Sequence, residues 1–477
     1  MINFRKNIFF FLLLFILLSG FIIQTFPIRT GMHYWDETVY LQHSEIIAGV
    51  RENTFNEFDL RPPLLPLLLS PVHFTNHPLI YAHILVSFLS TLGILGTYLL
   101  ASHLYNKRIG ILSALLYSLI PYYIYFSHKL LVDSILPTFW VFTFFFFIKG
   151  LQRNNLLYII ISAFLFSLSV LLKFTSLSLI FVILAVYIVI RFDVIKLKPI
   201  QILRDKYVWF FSFFSFITLL PYFIWNYLRF GSPFHVILYG KKIVVDWGAP
   251  TDYSLLLQET PLLLLPLFLL GTFLLLIRVL RRQENKSILL LSLILFIPLF
   301  SILSLPHIET RYFLPVLPFL VILSSRGFDS LLSHRLQFIP KLLLLAGSLF
   351  ILLILFFSLY TFPKYLFLEE DSGLLDVAHW LKNNTSQDSI VYTNHEWPVI
   401  AYYSKRKVGL LPVSGQGFEY EIERHLPRDG YVFIAPDLIP EPSFEFLDKD
   451  PRFTLVFHTN KSYPELFLFS YVSSSSE

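Results

Sequence analysis

The run NIFFFLLLFILLSGFIIQTF occupies residues 7–26 and follows the basic pair Arg5 and Lys6. A bilayer has a hydrocarbon core about 30 Å thick, which a helix of about 20 apolar residues can cross. The run resembles a signal sequence, but it lacks a small-x-small cleavage site at its end. We therefore interpret it as a retained first transmembrane helix, and it sets the class of fold expected for the rest of the chain.

The composition of the whole chain indicates a multi-pass membrane protein. Of its 477 residues, 55% are hydrophobic and only 14% are charged, which is far from the balance of a soluble domain. The chain has no cysteine, so thiolate metal sites, thiol nucleophiles and disulfides are excluded. Further apolar runs long enough to cross a bilayer lie at 79–103, 109–126, 130–149, 156–172, 175–192, 207–227, 261–280, 286–305, 311–325 and 340–361.

We predict an α-helical polytopic membrane fold with about 11 spans, within a range of about 10 to 13. The segment PLLPLLLSPVHF at 63–74 is interrupted by prolines and is expected to be re-entrant or interfacial. With the N-terminus inside, the inner loops hold 18 Lys and Arg residues against 4 Asp and Glu. The positive-inside rule therefore predicts a cytoplasmic N-terminus, and an odd number of spans then predicts an extracytoplasmic C-terminus.

From about residue 362 the sequence changes character, because charge increases and the apolar runs shorten to the length of strands. LLDVAHWLKNN and FEYEIERHL are predicted helices, and SIVYT, YVFIAP, FTLVFHT and LFLFSYV are predicted strands. We therefore predict a transmembrane domain at 1–361, with a large first outer loop at 27–78, and a small extracytoplasmic α/β domain at 362–477.

The predicted topology gathers many ionisable side chains on the outer face of the membrane. The first outer loop supplies Asp36, Glu37 and Arg61, and later outer loops supply Lys129 with Asp133, Lys173, and His307 with Glu309 and Arg311. Taken singly, each is explained as a side chain that reaches the lipid headgroups. Together, and with a first loop far longer than a connection needs, they indicate a functional site.

Four short motifs, in order along roughly residues 1–330, resemble those of glycosyltransferase family 39. They are Asp36–Glu37 with Tyr40 three residues later, Arg61 before Pro62–Pro63–Leu64, PYFIWNYLRFGSPF at 221–234 and HIETRYFLPVLP at 307–318. The family includes the protein O-mannosyltransferases and the aminoarabinose transferases of lipid A. The lipid A branch typically has lysine at the position of Arg61, which leaves the branch and the acceptor open.

The resemblance implies a GT-C type membrane glycosyltransferase. Its donor would be a polyprenyl-phosphate sugar and its acceptor a glycan, lipid or protein at the outer face of the cell membrane, with a bacterial inner membrane expected. Such a transfer needs a base for the proton of the incoming hydroxyl and cations for the departing phosphate. Asp36 is the expected base. Glu37 is expected to orient Arg61 or Tyr40, or to hold a divalent cation, because helix neighbours point about 100° apart.

The other polar residues have phosphate-binding or supporting roles in this hypothesis. Arg61 and Arg311 are expected to hold the donor phosphate, since a guanidinium binds two oxygens at once, and Lys173 is a third candidate. The alternative for Arg311 is an ion pair with Glu309. Asp133 is either a metal ligand or an anchor at the start of a helix. Lys129 and His307 are further supporting candidates.

Two other classes of function stay open from the sequence. A secondary transporter or flippase would carry ionisable groups near the middle of its spans, whereas the predicted span interiors contain almost none. A lipid-binding scaffold would not need Asp36. The chain has no zinc-protease or nucleotide-binding motif. We expect no nucleic-acid partner, and no cofactor other than a divalent cation.

Overall fold

The protein is described from a computed structural model. The described residues are 4–26, 35–52, 61–191, 199–246, 286–305, 308–333, 373–393, 395–411, 426–435, 441–459 and 465–473. Contacts within the chain divide it into two units. The membrane unit contains Met1–Ile28 and Asp59–Phe367, and the tail unit contains Arg29–Phe58 and Leu368–Glu477.

The membrane unit is built from helices, because inside a bilayer each backbone N–H and C=O must be bonded within the protein. Its described α-helices are α1 (Phe4–Thr25), α3 (Leu64–Leu69), α4 (Pro78–Leu104), α5 (Lys107–Ser118), α6 (Pro121–Ser127), α7 (Val132–Arg153), α8 (Leu156–Leu172), α9 (Leu179–Arg191), α10 (Pro199–Arg204), α11 (Lys206–Phe230), α12 (His235–Asp246), α13 (Lys286–Leu303) and α14 (Leu317–Ser333). Short 3-10 helices lie at Ser70–Phe74, Phe174–Ser178 and Thr310–Val316.

Within the described residues, 7 helices are long and apolar enough to cross a membrane, or 8 if α5 and α6 form one span that bends by 66°. The predicted spans at 261–280 and 340–361 lie outside the described residues. Each of the other predicted spans coincides with an apolar helix, or with the α5–α6 pair for 109–126. The predicted total of about 11 is therefore not established. The proline-broken segment 63–74 forms α3 and the following 3-10 helix. Together they cover Leu64–Phe74, which is shorter than the helices counted as possible spans.

Helices α7 and α8 form an antiparallel hairpin that places the start of α7 and the end of α8 at the same end of the membrane unit. The connection turns at Asn154, which has a left-handed backbone with φ of 53°, a conformation that asparagine tolerates better than most residues. The next residue, Asn155, caps α8 by accepting a hydrogen bond from the backbone N–H of Leu157.

The start of α7 is fixed by hydrogen bonds from α4. Ser90 Oγ donates to the backbone carbonyl of Ser134 over 2.9 Å, and the His83 ring nitrogen Nδ1 lies 2.7 Å from the carbonyl oxygen of His128. Ser134 Oγ in turn donates to the carbonyl of Lys129 over 2.9 Å. The bonds from His83 and Ser134 satisfy carbonyls of the short non-helical stretch before α7, which would otherwise be costly to bury. The bond from Ser90 reaches the first turn of α7 itself.

The tail unit is a mixed sheet with helices packed against it. Its helices are α2 (Trp35–Ile47), α15 (Leu374–Asn384), α16 (Trp397–Ser404) and α17 (Glu441–Lys449), and its strands are β1 (Ile390–Thr393), β2 (Lys407–Leu410), β3 (Gly430–Ile434), β4 (Phe453–Thr459) and β5 (Leu466–Tyr471). The strand order is β2-β1-β3-β5-β4. Strand β1 is parallel to both β2 and β3, whereas β5 is antiparallel to both β3 and β4.

The four strands and the first helix predicted for the tail are present, as β1, β3, β4, β5 and α15. The predicted helix at 418–426 lies outside the described residues except for its last residue. The sequence analysis missed α16, β2 and α17, each of which has nine residues or fewer. Segments this short carry too few turns or alternations for a clear periodic signal.

Helix α2 belongs to the tail unit, although the sequence analysis placed it in the first outer loop of the transmembrane domain. Val39 is buried in the same apolar core as Val377 and Ile400. The rings of Trp35 and Trp397 pack edge to face with their centroids 5.6 Å apart. Helix α2 thus contributes apolar surface that covers α16. The sequence did not indicate this contact, because α2 precedes α16 by more than 300 residues.

Candidate functional site

A cluster of charged side chains lies at one end of the membrane unit. Asp133 is in the first turn of α7, and Lys173 directly follows α8. Glu309 and Arg311 lie at the start of the 3-10 helix Thr310–Val316, which packs against α7. The α7–α8 hairpin and this 3-10 helix therefore bring together four residues that the sequence analysis proposed.

The most buried member of the cluster is Asp133, whose side chain is 3% exposed. Its Oδ1 atom accepts a hydrogen bond from Lys173 Nζ over 2.6 Å, and its Oδ2 atom lies 4.0 Å from Arg311 Nε. A carboxylate removed from water needs such partners, since an isolated buried charge is very costly. Of the two roles predicted for Asp133, the contacts support the structural one, because the carboxylate holds Lys173 beside α7.

The ion pair between Arg311 and Glu309, which the sequence left as an alternative, is present. Arg311 Nε lies 2.7 Å from Glu309 Oε2, and Arg311 Nη2 donates to Glu309 Oε1 over 2.8 Å. Tyr312 Oη also donates to Glu309 Oε1, over 3.2 Å. Glu309 is 36% exposed, in contrast to Asp133. A solvent-accessible carboxylate thus occupies the guanidinium face that a phosphate would use.

A small cleft adjoins the cluster. Asp133, Lys173 and Tyr312 line its polar part, and the Lys173 ammonium lies 3.7 Å from the centre of the Tyr312 ring. The rest of its lining is apolar or carries hydroxyl groups, from Leu136, Trp140, Thr175, Ser178, Pro298, Ser301, Ile302, Leu305 and Pro315. This division suits an amphipathic ligand with a charged head and a hydrocarbon tail.

Three other residues of the sequence prediction belong to the membrane unit. Lys129 is buried four residues before Asp133, and its ammonium donates to Tyr125 Oη over 2.7 Å. Arg61 is half-buried and lies three residues before the start of α3. His307 lies outside the described residues. The sequence analysis did not single out Tyr312, although it stands next to Arg311 in the R-Y-x-x-P segment.

Asp36 and Glu37 lie in the first turn of α2, in the tail unit. Carboxylates are favourable there because the helix dipole is positive at its N-terminus. Asp36 is partly exposed, whereas Glu37 is fully buried, and Tyr40 one turn later is also buried. The helical backbone thus separates the two carboxylates, as the sequence analysis expected, and leaves Asp36 the more accessible one.

The predicted divalent-cation role of Glu37 and Asp133 gains no support from their surroundings. In the part of the chain that the structure describes, no group of three or more His, Asp or Glu side chains is arranged to hold a metal ion. Asp133 instead accepts a hydrogen bond from Lys173.

The tail unit contains an unusual acidic residue that the sequence analysis missed. Glu396 immediately precedes α16, three residues after the end of β1, and has a left-handed backbone with φ of 42°. Burial raises the pKa of its carboxyl group above the ordinary glutamate value. A single-sequence pattern gives no signal for such a conformation, because a residue other than glycine or asparagine rarely adopts it.

The family model described as dolichyl-phosphate-mannose-protein mannosyltransferase matches residues 61–225, which include Arg61, Asp133 and Lys173. A crystal structure of ArnT from Cupriavidus metallidurans in the apo state is similar over 99% of both chains, with a TM-score of 0.65 and 13% sequence identity. The chain has the GT-C fold. This confirms the predicted class, a helical polytopic membrane protein with a small α/β region at its C-terminus.

Two further similar structures contain a lipid carrier. ArnT bound to undecaprenyl phosphate matches with a TM-score of 0.64 and 14% identity, again over 99% of both chains. The oligosaccharyltransferase AglB from Archaeoglobus fulgidus, in complex with an inhibitory peptide and a dolichol-phosphate, matches with a TM-score of 0.59 and 14% identity, over 90% of this chain and 70% of that one. No curated protein sequence matches the chain significantly.

Proposed function

We propose that the protein is an integral-membrane glycosyltransferase that moves a sugar from a polyprenyl-phosphate donor to a glycan, lipid or protein acceptor. The observation that carries this proposal is the cleft beside Lys173 and Arg311, which combines cations with an apolar wall at one end of the membrane unit. The binding of undecaprenyl phosphate by ArnT and of dolichol-phosphate by AglB supports it.

Lys173 and Arg311 would hold the phosphate of the donor, and Arg61 would be a further phosphate-binding residue. In the transfer, the bond between the anomeric carbon and the phosphate oxygen breaks, and the polyprenyl phosphate leaves with the bonding electrons. Cations that bind this leaving group more strongly as its charge grows lower the barrier. Trp140, Ile302 and Leu305 would contact the first part of the polyprenyl chain.

Asp36 would accept the proton of the incoming hydroxyl as the new bond to the anomeric carbon forms. Its partial exposure in the first turn of α2 suits this role, and a positioned base contributes about 10²- to 10⁴-fold to the rate. Glu37 and Tyr40 are buried in α2 and would keep the start of this helix in place.

The decisive experiment is transfer and donor-binding analysis with the full chain in proteoliposomes. We expect Lys173→Ala and Arg311→Ala to weaken binding of polyprenyl phosphate at least about tenfold, since each removes a charge-assisted bond. Lys149→Ala is the matched control, because Lys149 lies near the other end of α7. Equal binding by all four proteins, or uptake of a solute with no transfer from any polyprenyl-phosphate sugar, would overturn the proposal.

We further propose that the N-terminus is cytoplasmic and the tail unit extracytoplasmic, in a bacterial inner membrane. The excess of basic residues in the inner loops supports this orientation. Because the chain lacks cysteine, single cysteines can test it directly. An impermeant reagent should label a cysteine at Asp388, a 92% exposed position in the tail, but not one at Lys107 in intact spheroplasts. The reverse pattern would refute the orientation.

A further inference from the structure

Helix α2 carries Asp36 and Glu37 but is held by the tail unit. Its first residue, Trp35, packs against Trp397 at the start of α16. Gln42 at the centre of α2 also contacts α16, and Glu45 near the end of α2 contacts Lys405, the residue that caps α16. Helices α2 and α16 therefore lie side by side over most of their lengths.

The contact at the centre of α2 is a hydrogen bond between a buried side chain and a backbone carbonyl. Gln42 is fully buried, and its Nε2 atom donates to the carbonyl oxygen of Pro398 over 2.9 Å and to that of Thr38 over 3.2 Å. Loss of this amide would leave a buried acceptor with one partner fewer, which costs about 1–3 kcal/mol. Gln42 thus fixes the distance between α2 and the first turn of α16.

The contact at the end of α2 is a small ionic network. Glu45, which is also buried, accepts hydrogen bonds from Lys405 Nζ over 2.7 Å and from Arg51 Nη1 over 3.2 Å. Arg51 Nη2 in turn donates to the carbonyl oxygen of Ala401 in α16 over 3.0 Å. Lys405 caps α16 with a left-handed backbone of φ 58°. The network therefore restrains both sliding and rotation of α2 against α16.

A helix transmits such restraints along its length, because its backbone hydrogen bonds make it rigid. Asp36 lies less than two turns from Gln42 and less than three turns from Glu45. A shift of about 1 Å in a catalytic group can lower a rate about 100-fold. The place of Asp36 in the reaction thus depends on contacts that the tail unit provides.

We propose that Gln42, Glu45 and Lys405 are positioning residues, through which α16 of the tail unit sets the place of the carboxylates of Asp36 and Glu37. This inference rests on the proposed function. It assigns the tail unit a part in the transfer reaction, because Lys405 comes from a segment 360 residues away from Glu45. None of the three residues needs to contact donor or acceptor for this role.

The test compares Lys405→Ala, Lys405→Arg and Gln42→Ala with the parent chain in proteoliposomes. Alanine keeps a Cβ at the left-handed position, so Lys405→Ala removes the ion pair without relieving backbone strain. We expect kcat for Lys405→Ala and Gln42→Ala to fall about tenfold or more, with the donor KM changed less than about twofold. Lys405→Arg should recover most of kcat. The matched control is Lys407→Ala, which removes an exposed partner of Asp388.

A second measurement reports the position of α2 without any activity. Hydrogen exchange of the amides of residues 36–47 should become faster in Lys405→Ala and Gln42→Ala, and should stay at the parental rate in Lys405→Arg and Lys407→Ala. Exchange in α15, which contacts neither Gln42 nor Glu45 among the described hydrogen bonds, should change little. This pattern would separate a displaced helix from a loss of folding.

The possible outcomes distinguish this inference from the proposed function. If the parent transfers sugar and the two alanine variants keep its kcat, the positioning role is refuted while the proposed function stands. A loss of kcat with equal acceleration of exchange throughout the tail would also refute it, because the tail would then have unfolded. A parent that transfers no sugar would refute the proposed function, and the positioning role with it.

Discussion

Lys173 Nζ lies 2.6 Å from Asp133 Oδ1, although the two residues are 40 positions apart in the sequence. The α7–α8 hairpin explains the contact, since it returns the chain to the end of the membrane unit at which α7 begins. The carboxylate is almost fully buried, whereas the lysine is 19% exposed. Both side chains line the cleft, and the lysine is the more accessible of the two.

The first prediction concerns the stability that this pair provides. Lys173→Met should destabilise the protein by about 1–3 kcal/mol, because it leaves the Asp133 carboxylate with Arg311 as its nearest cation. This range is below the 3–5 kcal/mol typical of a broken buried pair, since Lys173 reaches solvent. Removing both charges, in Lys173→Met with Asp133→Asn, should restore part of the loss. Unfolding in detergent measures both, and equal stability of single and double variants would contradict the prediction.

The second prediction concerns Glu309, which forms an ion pair with Arg311 in the structure. Because this carboxylate is much more exposed than Asp133, a donor phosphate can displace it. Glu309→Gln should therefore lower the donor KM about two- to tenfold, since the phosphate no longer competes with a charge for the guanidinium. Glu309→Asp, which keeps the charge, is the control. A higher KM in Glu309→Gln would show that Glu309 orients Arg311 for the donor instead.

The third prediction concerns the apolar part of the cleft. Ser301 of α13 lines the cleft, whereas Ser304, just after the end of this helix, is exposed and does not. Ser301→Trp should fill the cleft and raise the donor KM about tenfold or more, because the bulky ring takes the space proposed for the polyprenyl chain. Ser304→Trp should leave KM near the parental value. Similar KM values for the two variants would place the lipid elsewhere.

The membrane unit was the more predictable part of the fold. Long apolar runs dictate helices there, and the order of α7 and α8 in the sequence already places Asp133 and Lys173 at one end. The choice of partners was not predictable, because Arg311 contacts both Glu309 and Asp133 and the sequence offers no way to rank these contacts.

The position of α2 could not be derived from the sequence for a physical reason. Its partners Pro398 and Lys405 lie more than 350 residues later, and no local pattern encodes such a distant contact. The proline-rich stretch after α2 suggested a continuous membrane loop, whereas the apolar face around Val39 completes the core of the tail unit. Long-range packing, and not local propensity, therefore decides where Asp36 and Glu37 lie.

The fourth prediction concerns pH and Glu396. Burial raises the pKa of this carboxyl group in the folded state. Stability therefore falls as the pH rises from the unfolded-state pKa to the folded-state pKa, and the full loss is present above the folded-state pKa, where the group is buried with its charge. Glu396→Gln should therefore melt at a higher temperature than the parent at neutral pH. The difference should vanish below about pH 4, where the carboxyl is protonated in both states.

The matched control for Glu396 is Glu445→Gln, which changes a 72% exposed side chain in α17. Glutamine keeps the left-handed backbone strain at position 396, so that the comparison reports the charge alone. Melting temperatures of the full chain in detergent at neutral and acidic pH measure the effect. If Glu396→Gln raised the melting temperature equally at both pH values, ionisation of Glu396 would not be the cause.

The last prediction separates the roles of Asp36 and Glu37. Asp36→Asn keeps the shape of the side chain but deletes its basicity, so kcat should fall about 100-fold or more with little change in donor affinity. Glu37 is fully buried, so Glu37→Gln should lower both kcat and the melting temperature, because a buried residue acts through the structure around it. Asp388→Asn, at an exposed position of the same unit, is the control and should keep both. The measurements are transfer from a polyprenyl-phosphate sugar, donor binding and thermal unfolding for each variant. Parental turnover in Asp36→Asn would show that Asp36 is not the base. A loss of donor binding in that variant would show that Asp36 is a binding residue.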